Sequence, residues 1–390
     1  MTNWPIKTLG DLMTVQNGYA FDSQYFSPIG KIGLIRIRDL KSGIATETQF
    51  VGKYDNEYIV TSGDYLIGMD GEFRCYEWKG DPALLNQRVC RLRDFGKSLD
   101  ARFLFYGINK FLKEIEDVTG YTTVKHLSSK SILAIEMPVP PLAEQKRIVA
   151  LLDAATARIT ELTACYEQAR THANDLFTSA LCCALESNLD WPFKALGDIC
   201  EVFDDGDWIE SKDQAPSGVR LIQTGNVGDG EFKDRCDKAR FISEQTFSRL
   251  RCTEIYPGDL LFSRLPDPVG RACVIPDIGS KMITAVDCTI MRPRKEIMLP
   301  QFLVTCTQTN GYREQVRAKI TGTTRDRISR SNLAEVQVQV PSLQEQKQIV
   351  ARLDSMKTKT LEMVDAYDMK LTSAKNLRQS ILEAAFKGDL

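Results

Sequence analysis

Val139-Pro140-Pro141-Leu142-Ala143-Glu144-Gln145-Lys146-Arg147-Ile148-Val149-Ala150-Leu151-Leu152-Asp153 returns as Val340-Pro341-Ser342-Leu343-Gln344-Glu345-Gln346-Lys347-Gln348-Ile349-Val350-Ala351-Arg352-Leu353-Asp354. Eleven of the fifteen positions are identical, at a constant offset of 201. A shorter echo opens each copy. Trp4-Pro5-Ile6-Lys7-Thr8-Leu9-Gly10-Asp11-Leu12 matches Trp191-Pro192-Phe193-Lys194-Ala195-Leu196-Gly197-Asp198-Ile199 at an offset of 187. The chain is one unit written twice, and the second copy carries 14 more residues in its interior. A domain-sized period describes a two-fold tandem, not a solenoid.

The repeated stretch begins a helix. Prolines 138, 140 and 141 end an extended segment before it. In the second copy Ser342-Leu343-Gln344-Glu345 spells a capping box, in which Ser342 accepts from the Glu345 amide and the Glu345 carboxylate reaches back. Pro141 stands in the place of Ser342 in the first copy, and proline is tolerated at a helix start. An apolar stripe follows in each copy. Its members include Ile148, Leu152, Ile159, Leu162 and Leu176, then Ile349, Leu353, Met356, Met363, Leu377 and Ile381. Four to five heptads with charges between them argue for coiled coil, and no Gly or Pro interrupts residues 142–185. The second helix is expected to stop at Lys387-Gly388, a basic last turn before a capping glycine. Packing the two helices antiparallel would cover the seam; each folding back on its own head is the competing arrangement.

The remaining segments are punctuated by Gly, Pro, Asp and Asn. Short runs suited to strands occur at residues 32–37, 65–67, 88–92, 220–223, 260–262 and 285–291, and residues 102–116 and 300–317 read as helical. The expected fold is therefore α+β: two mixed heads separated by two long helices in an antiparallel coiled coil, with a pseudo-two-fold repeat. The expected boundaries are 1–140 for the first head, 141–187 for the first helical spacer, 188–341 for the second head and 342–390 for the second spacer. The heads share a plan, since Gly63-Asp64-Tyr65-Leu66-Ile67 matches Gly258-Asp259-Leu260-Leu261-Phe262. Elsewhere they differ strongly, as two binding modules with different targets would.

The 390 residues carry a net charge of −2, which gives no overall attraction for nucleic acid. Residues 1–139 hold 17 basic and 17 acidic side chains, and residues 188–340 hold 21 and 22. Any DNA-binding face would have to come from local clusters, such as residues 88–93 or Arg313, Arg317, Lys319, Arg325, Arg327 and Arg330, each of which taken singly reads as solvated surface. Eleven unpatterned cysteines read as reduced thiols of a cytoplasmic protein. No apolar run reaches the ~20 residues of a membrane span, and the first residues lack a signal pattern.

Catalytic chemistry finds little support. Of two histidines, His126 and His172, neither has a histidine at its repeat counterpart, where Arg327 and Ser373 stand. Phosphate-binding glycine loops are missing, as is the Asn/Asp-Pro-Pro-aromatic tetrapeptide of amino-methyltransferases. Asp204, Asp205 and Asp207 surround Gly206 and read as a turn, so no metal site is expected.

Duplicate Pro-x-Leu-x-Glu-Gln-x-x-Ile-Val-x-x-Leu-Asp helix starts, Thr-rich turns before each (Thr119 to Thr123, Thr321 to Thr324) and Trp-Pro-x-Lys-x-Leu-Gly-Asp head openings together resemble the specificity subunit of type I restriction–modification systems. The resemblance covers the whole chain. It implies a non-catalytic subunit whose heads each read one half of a split double-stranded DNA target. The helices would set the spacer and dock two modification (methyltransferase) subunits, with S-adenosylmethionine held by those partners and no cofactor here. Restriction motor–nuclease subunits would join for cleavage. The alternative is a coiled-coil adaptor with protein- or glycan-binding heads.

Base-reading residues vary within such a family, so candidates follow from chemistry. Arginine suits guanine edges, and threonine and lysine suit phosphates. Phosphate contact is expected from Thr122, Thr123 and Lys125 in the first head and Thr323, Thr324 and Arg325 in the second. Groove contact is expected from Arg74, Tyr76, Arg88, Arg264 and Arg271, taken as loop-borne.

Overall fold

The computed structural model describes residues 4–44, 46–119, 125–186, 190–322 and 325–390. By contacts the chain divides into two compact units, Met1–Tyr166 with Met369–Leu390, and Glu167–Asp368. Each unit is thus one head, the start of the long helix that follows it, and the end of the other long helix.

The heads repeat one strand plan. In the first, an antiparallel sheet runs Thr14–Asn17, Val89–Arg93, Tyr65–Gly68, Cys75–Glu77; in the second it runs Cys200–Asp205, Cys288–Pro293, Leu260–Ser263, Ala272–Val274. A second sheet in each head is built on one parallel pair, Ile32–Ile35 with Ala83–Leu85 and Val219–Ile222 with Met282–Thr284. The matched Gly-Asp turns lead into the central strands. Gly63 and Gly258 have φ of +96° and +94°, a conformation that favours glycine. Behind each, an aspartate fastens the turn. Asp64 accepts from the Thr61 amide at 2.7 Å and from Arg91 at 3.1 Å. Asp259 accepts from the Tyr256 amide at 2.8 Å and from Arg292 at 2.7 Å.

The strand expectations shift at their ends. The run from Ile32 stops at Ile35 and turns into the short helix Ile37–Leu40. Residues 285–287 precede the strand Cys288–Pro293. The stretch 300–317 is two helices, Pro300–Cys306 and Asn310–Ala318, the second capped by the Thr309 side chain.

The two echoes in the sequence are one structural device. Ile6–Thr8 pairs antiparallel with Glu136–Pro138, and Phe193–Ala195 with Gln337–Gln339. The Val139 amide donates to the Pro5 carbonyl and the Val340 amide to the Pro192 carbonyl, each at 2.9 Å. Entry and exit of each head are therefore stitched together beside the helix start. The long helices Leu142–Glu186 and Leu343–Lys387 span 45 residues each. The capping box forms: the Ser342 amide donates to Glu345 Oε2 at 2.9 Å, and the Glu345 amide to Ser342 Oγ at 3.3 Å. The Ser342 hydrogen bond holds the Glu345 carboxyl below its ordinary range. At the far end Gly388 takes a φ of +76°.

A buried glutamine locks each helix to its head. Gln145 Oε1 accepts from the Asp100 amide at 2.7 Å, and its Nε2 donates to the Ser98 and Pro140 carbonyls at 2.8 Å each. Gln346 repeats the pattern with the Leu299 amide and the Ile297 and Pro341 carbonyls, at 2.8, 2.8 and 2.9 Å. Both are fully buried. Gln346→Ala strands one buried amide and two carbonyls, a loss of roughly 2–4 kcal/mol. Gln346→Glu should be worse, since it sets a carboxylate oxygen against two carbonyls. Urea unfolding of the purified chain checks both; a midpoint unmoved by either would remove the glutamine from the fold's support.

The helices run antiparallel within each unit. In the first, Ile148 and Leu152 of the first helix share an apolar cluster with Ile381, Leu382, Ala385 and Phe386 of the second. In the second, Leu181 and Leu185 share one with Ile349 and Leu353. These clusters also contain head residues such as Phe103 and Phe302. The antiparallel pairing is therefore the arrangement realised: in each unit the start of one helix and the end of the other pack together on one head, and neither helix folds back on its own head.

Four expected seam residues need correction. Leu162, Leu176, Met363 and Leu377 stand outward, 42, 58, 38 and 50% exposed. Their neighbours Thr163, Phe177 and Val364 are more enclosed, and Ala173, Thr360 and Ala374 are buried. Ile148, Leu152 and Leu353 are buried, and Ile159, Ile349, Met356 and Ile381 half-buried. The buried positions along the middle of the helices are thus held by small side chains, and the larger leucines fall to the outer flank.

Candidate nucleic-acid interface

The candidates near the Thr-rich turns surround one corner built alike in both heads. The Met69 amide donates to the Arg88 carbonyl, as the Arg264 amide does to Asp287, each at 2.9 Å. The Leu127 amide donates to Met69, and Ile328 to Arg264, at 2.7 and 3.2 Å. The side chains on this shared backbone differ. In the first head Asp70 takes both His126 Nδ1 at 2.7 Å and Arg88 at 3.4 Å. In the second, Arg327 pairs with Asp287 at 3.1 Å and Arg264 with Asp205 at 3.3 Å. Arg88 and Asp287 occupy the same station with opposite charge.

Arg74 is exposed, 3.8 Å from Glu72 and stacked 5.8 Å from the Tyr76 ring centroid. Tyr76 is half-buried, and burial first of all pushes its phenol up. The exposed Arg88 has a φ of +73°. Lys125 Nζ donates to the Glu116 carbonyl, so it is fastened to the helix before the turn. Arg325 is exposed. Thr122, Thr123, Thr323 and Thr324 lie outside the described residues.

Arg264 and Arg271 are corrections. Neither is an open loop arginine; they are 5 and 8% exposed. Arg271 donates to the carbonyls of Val227, Leu265, Pro268 and Thr224 between 2.7 and 3.0 Å. It ties loops together at the edge of the strand Ala272–Val274. Arg264 donates to the Val286 carbonyl and faces Asp205. Burial lowers the pKa of both guanidiniums. Their job is the geometry of the second head. Arg91, in the first basic run, is likewise buried between Gln16, Asp64 and two carbonyls. Of the second run, Arg313, Lys319, Arg327 and Arg330 are engaged with Asp229, Glu335, Asp287 and Asp204.

Two concave surfaces lie elsewhere, after the first strand of each parallel pair. Following Ile35, Arg38, Lys41 and Tyr76 border a depression of about 190 Å³ that also contains Glu72. After Ile222 the groove is larger, about 540 Å³, and lined by Gln223 to Asn226 with Arg235, Lys238 and Arg240. The two corners share a hydrogen bond: the Arg36 amide to Asp39 at 2.8 Å, and the Gln223 amide to Asn226 at 3.0 Å. Residues 235–240 were not singled out from the sequence. A basic run broken by Cys236 and Asp237 resembles ordinary surface until the fold lays it across the Gln223–Asn226 corner. Among the described residues no group of His, Cys, Asp and Glu could hold a metal ion, and no helix is long and apolar enough to cross a membrane.

The sequence profile of the type I restriction modification DNA specificity domain matches residues 1–169 and 188–365. The specificity subunit of the Escherichia coli type I restriction enzyme EcoBI is 28% identical, over all of this chain and 86% of its own length. That of MjaVIII from Methanocaldococcus jannaschii is 23% identical, over 81% of this chain and 77% of its own. Among solved structures, the HsdS subunit from Thermoanaerobacter tengcongensis superposes with a TM-score of 0.60 at 20% identity, covering 100% of this chain and 98% of that one. A chain from a structure of complex assembly and conformational transition in a type I R-M system reaches 0.73 at 21% identity, covering 99 and 98%. These two likenesses establish the shared fold.

Proposed function

This chain belongs to the type I restriction–modification DNA specificity family, and from that membership we propose how its duplicated frame is used. The subunit recognises DNA and is not itself a catalyst. Each head reads one half of a bipartite, asymmetric target. In this reading residues 1–140 and 188–341 are the target recognition domains, and 141–187 and 342–390 are the spacers. The observation that carries it is a contrast. The fastenings repeat, in the paired glutamines, the stitched strands and the Gly-Asp turns, while the corner charges and grooves diverge. One frame presenting two different surfaces suits two different half-sites.

The helices would dock two modification subunits. In its favour, each unit turns a pair of large apolar residues outward: Leu162 and Leu377 in the first, Leu176 and Met363 in the second. These are repeat counterparts at the offset of 201. Adenine methylation would be performed by those partners in the cytoplasm, with S-adenosylmethionine bound there, and motor–nuclease subunits would add cleavage.

Replacing residues 1–140 with the first head of another family member tests this. Assembled with modification subunits, the hybrid should methylate sites changed in one half and unchanged in the other, read by methylation mapping. The chain alone should transfer no methyl group. A target changed in both halves would overturn independent reading.

A further inference from the structure

Resting on that reading, we infer that the Gln223–Arg240 groove of the second head is a clamp for the DNA phosphodiester backbone. The groove is the larger concave surface described above, and its lining carries three cations, Arg235, Lys238 and Arg240, with no carboxylate. Two carboxylates lie near. Asp234 faces Arg220 at 3.3 Å, and Asp237 is exposed beside the groove. This arrangement is unusual in a head with 21 basic and 22 acidic side chains in its segment, where four of the six members of the other basic run are ion-paired.

The cations are held by the fold. Arg240 opens the strand Arg240–Ile242, with Leu221 as its partner in register. Arg220 is buried on the same strand as Leu221, its guanidinium 5.4 Å from the Phe241 ring centroid. Its Nη2 reaches Asp234 at 3.3 Å and the Arg235 carbonyl at 3.5 Å. Arg220 is thus a positioning residue for the segment that carries Arg235. On the opposite wall Gly225 leaves room for that side chain: a Cβ there would lie 2.5 Å from Arg235 Nη1. A guanidinium laid over a bare backbone corner, with a lysine and a second arginine beside it, matches the charge and hydrogen-bonding needs of consecutive phosphates. The corresponding depression in the first head is smaller, includes Glu72, and has its Arg38 paired with Glu47 at 3.2 Å. The clamp is therefore a property of the second head.

Two variants test the clamp in the complex assembled with modification subunits, using a fluorescent duplex that carries the mapped methylation target. Arg235→Ala/Lys238→Ala/Arg240→Ala should weaken binding on the order of tenfold, and the plot of log affinity against log salt should become shallower by about two to three. The methylated sequence should not change, because phosphate contacts position without specifying bases. Gly225→Leu keeps every charge. The atoms nearest its Cβ belong to the movable end of Arg235, so the head should fold, yet the filled groove should weaken binding too. The conservative Arg235→Lys/Lys238→Arg/Arg240→Lys variant should retain the salt slope. Parent-like affinity in the triple alanine variant, or in Gly225→Leu, would overturn the clamp; the latter would reduce the charges to a long-range field. Neither result touches half-site reading, which the head exchange tests separately and which a parent complex methylating without sequence preference would also overturn.

Discussion

Removing residues 369–390 should unfold the first head and leave the second intact. The cut takes away the end of the second long helix, which lies in the same unit as residues 1–166. Its Phe386 ring centroid is 4.9 Å from that of Phe103, which is fully buried in the core of the first head. Ala385 is fully buried in the same cluster, with Ile381 and Leu382 packed against it. The Leu390 carbonyl accepts from Arg147 at 2.6 Å. Truncating the Phe386 side chain alone should cost about 3 kcal/mol, and losing the four apolar side chains exceeds what one marginally stable domain can spare. Hydrogen exchange resolved by segment checks this: amides of the helix Ala101–Val118 should lose protection while those of Leu260–Ser263 keep it. Unchanged protection in the first head would mean its core closes without the chain's far end.

A single residue offers the same test without a deletion. Gly107 lies inside the helix Ala101–Val118, where a Cβ would come within 2.5 Å of the Phe386 ring. Replacing a mid-helix glycine ordinarily adds about 1 kcal/mol through helix propensity. If Gly107→Leu nevertheless destabilises the first head, displacement of Phe386 has outweighed that gain.

The repeat made much of this fold legible. Identical residues at constant offset revealed two heads and two helices, and the capping box at Ser342 formed as spelled. The stripe was harder to place. At Leu162-Thr163, Leu176-Phe177 and Met363-Val364 two adjacent residues compete for one inward position, and the periodicity alone admits either. The choice is made by the facing helix, whose distance the periodicity does not encode. Gln145 and Gln346 carried a usable signal, a polar residue unchanged between copies at a helix start. It was read as motif when it is in fact a buried lock. The arginines failed for a different reason. An arginine between turn residues has the same local sequence whether it faces solvent or gathers four carbonyls, as Arg271 does. Only the meeting of residues distant in sequence, Thr224 and Val227 with Pro268, separates the two. The groove is likewise non-local, joining residues 223–226 to 235–240.

A second large effect is expected when the helices are lengthened. If the helix pair sets the gap between half-sites, one heptad inserted after Leu162 and another after Met363 should lengthen the recognised spacer. Seven residues preserve the inward stripe, because the buried positions return every seven. Both insertions fall next to outward residues and away from the clusters that lock the helix ends to the heads. Those locks, including Gln145 and Gln346, are untouched, so each head keeps its own core and its own half-site. Each helix gains about 10 Å at 1.5 Å per residue. That corresponds to about three base pairs along B-DNA, and fewer if the helices are tilted to the DNA axis. Methylation mapping of the two-heptad variant, assembled with its modification subunits, should therefore return the same two half-sites with a spacer longer by about one to three base pairs. Four residues inserted in one helix alone should instead turn the stripe out of register and destabilise the chain. A variant that folds and methylates with the original spacer would mean that the helices do not measure the gap between half-sites.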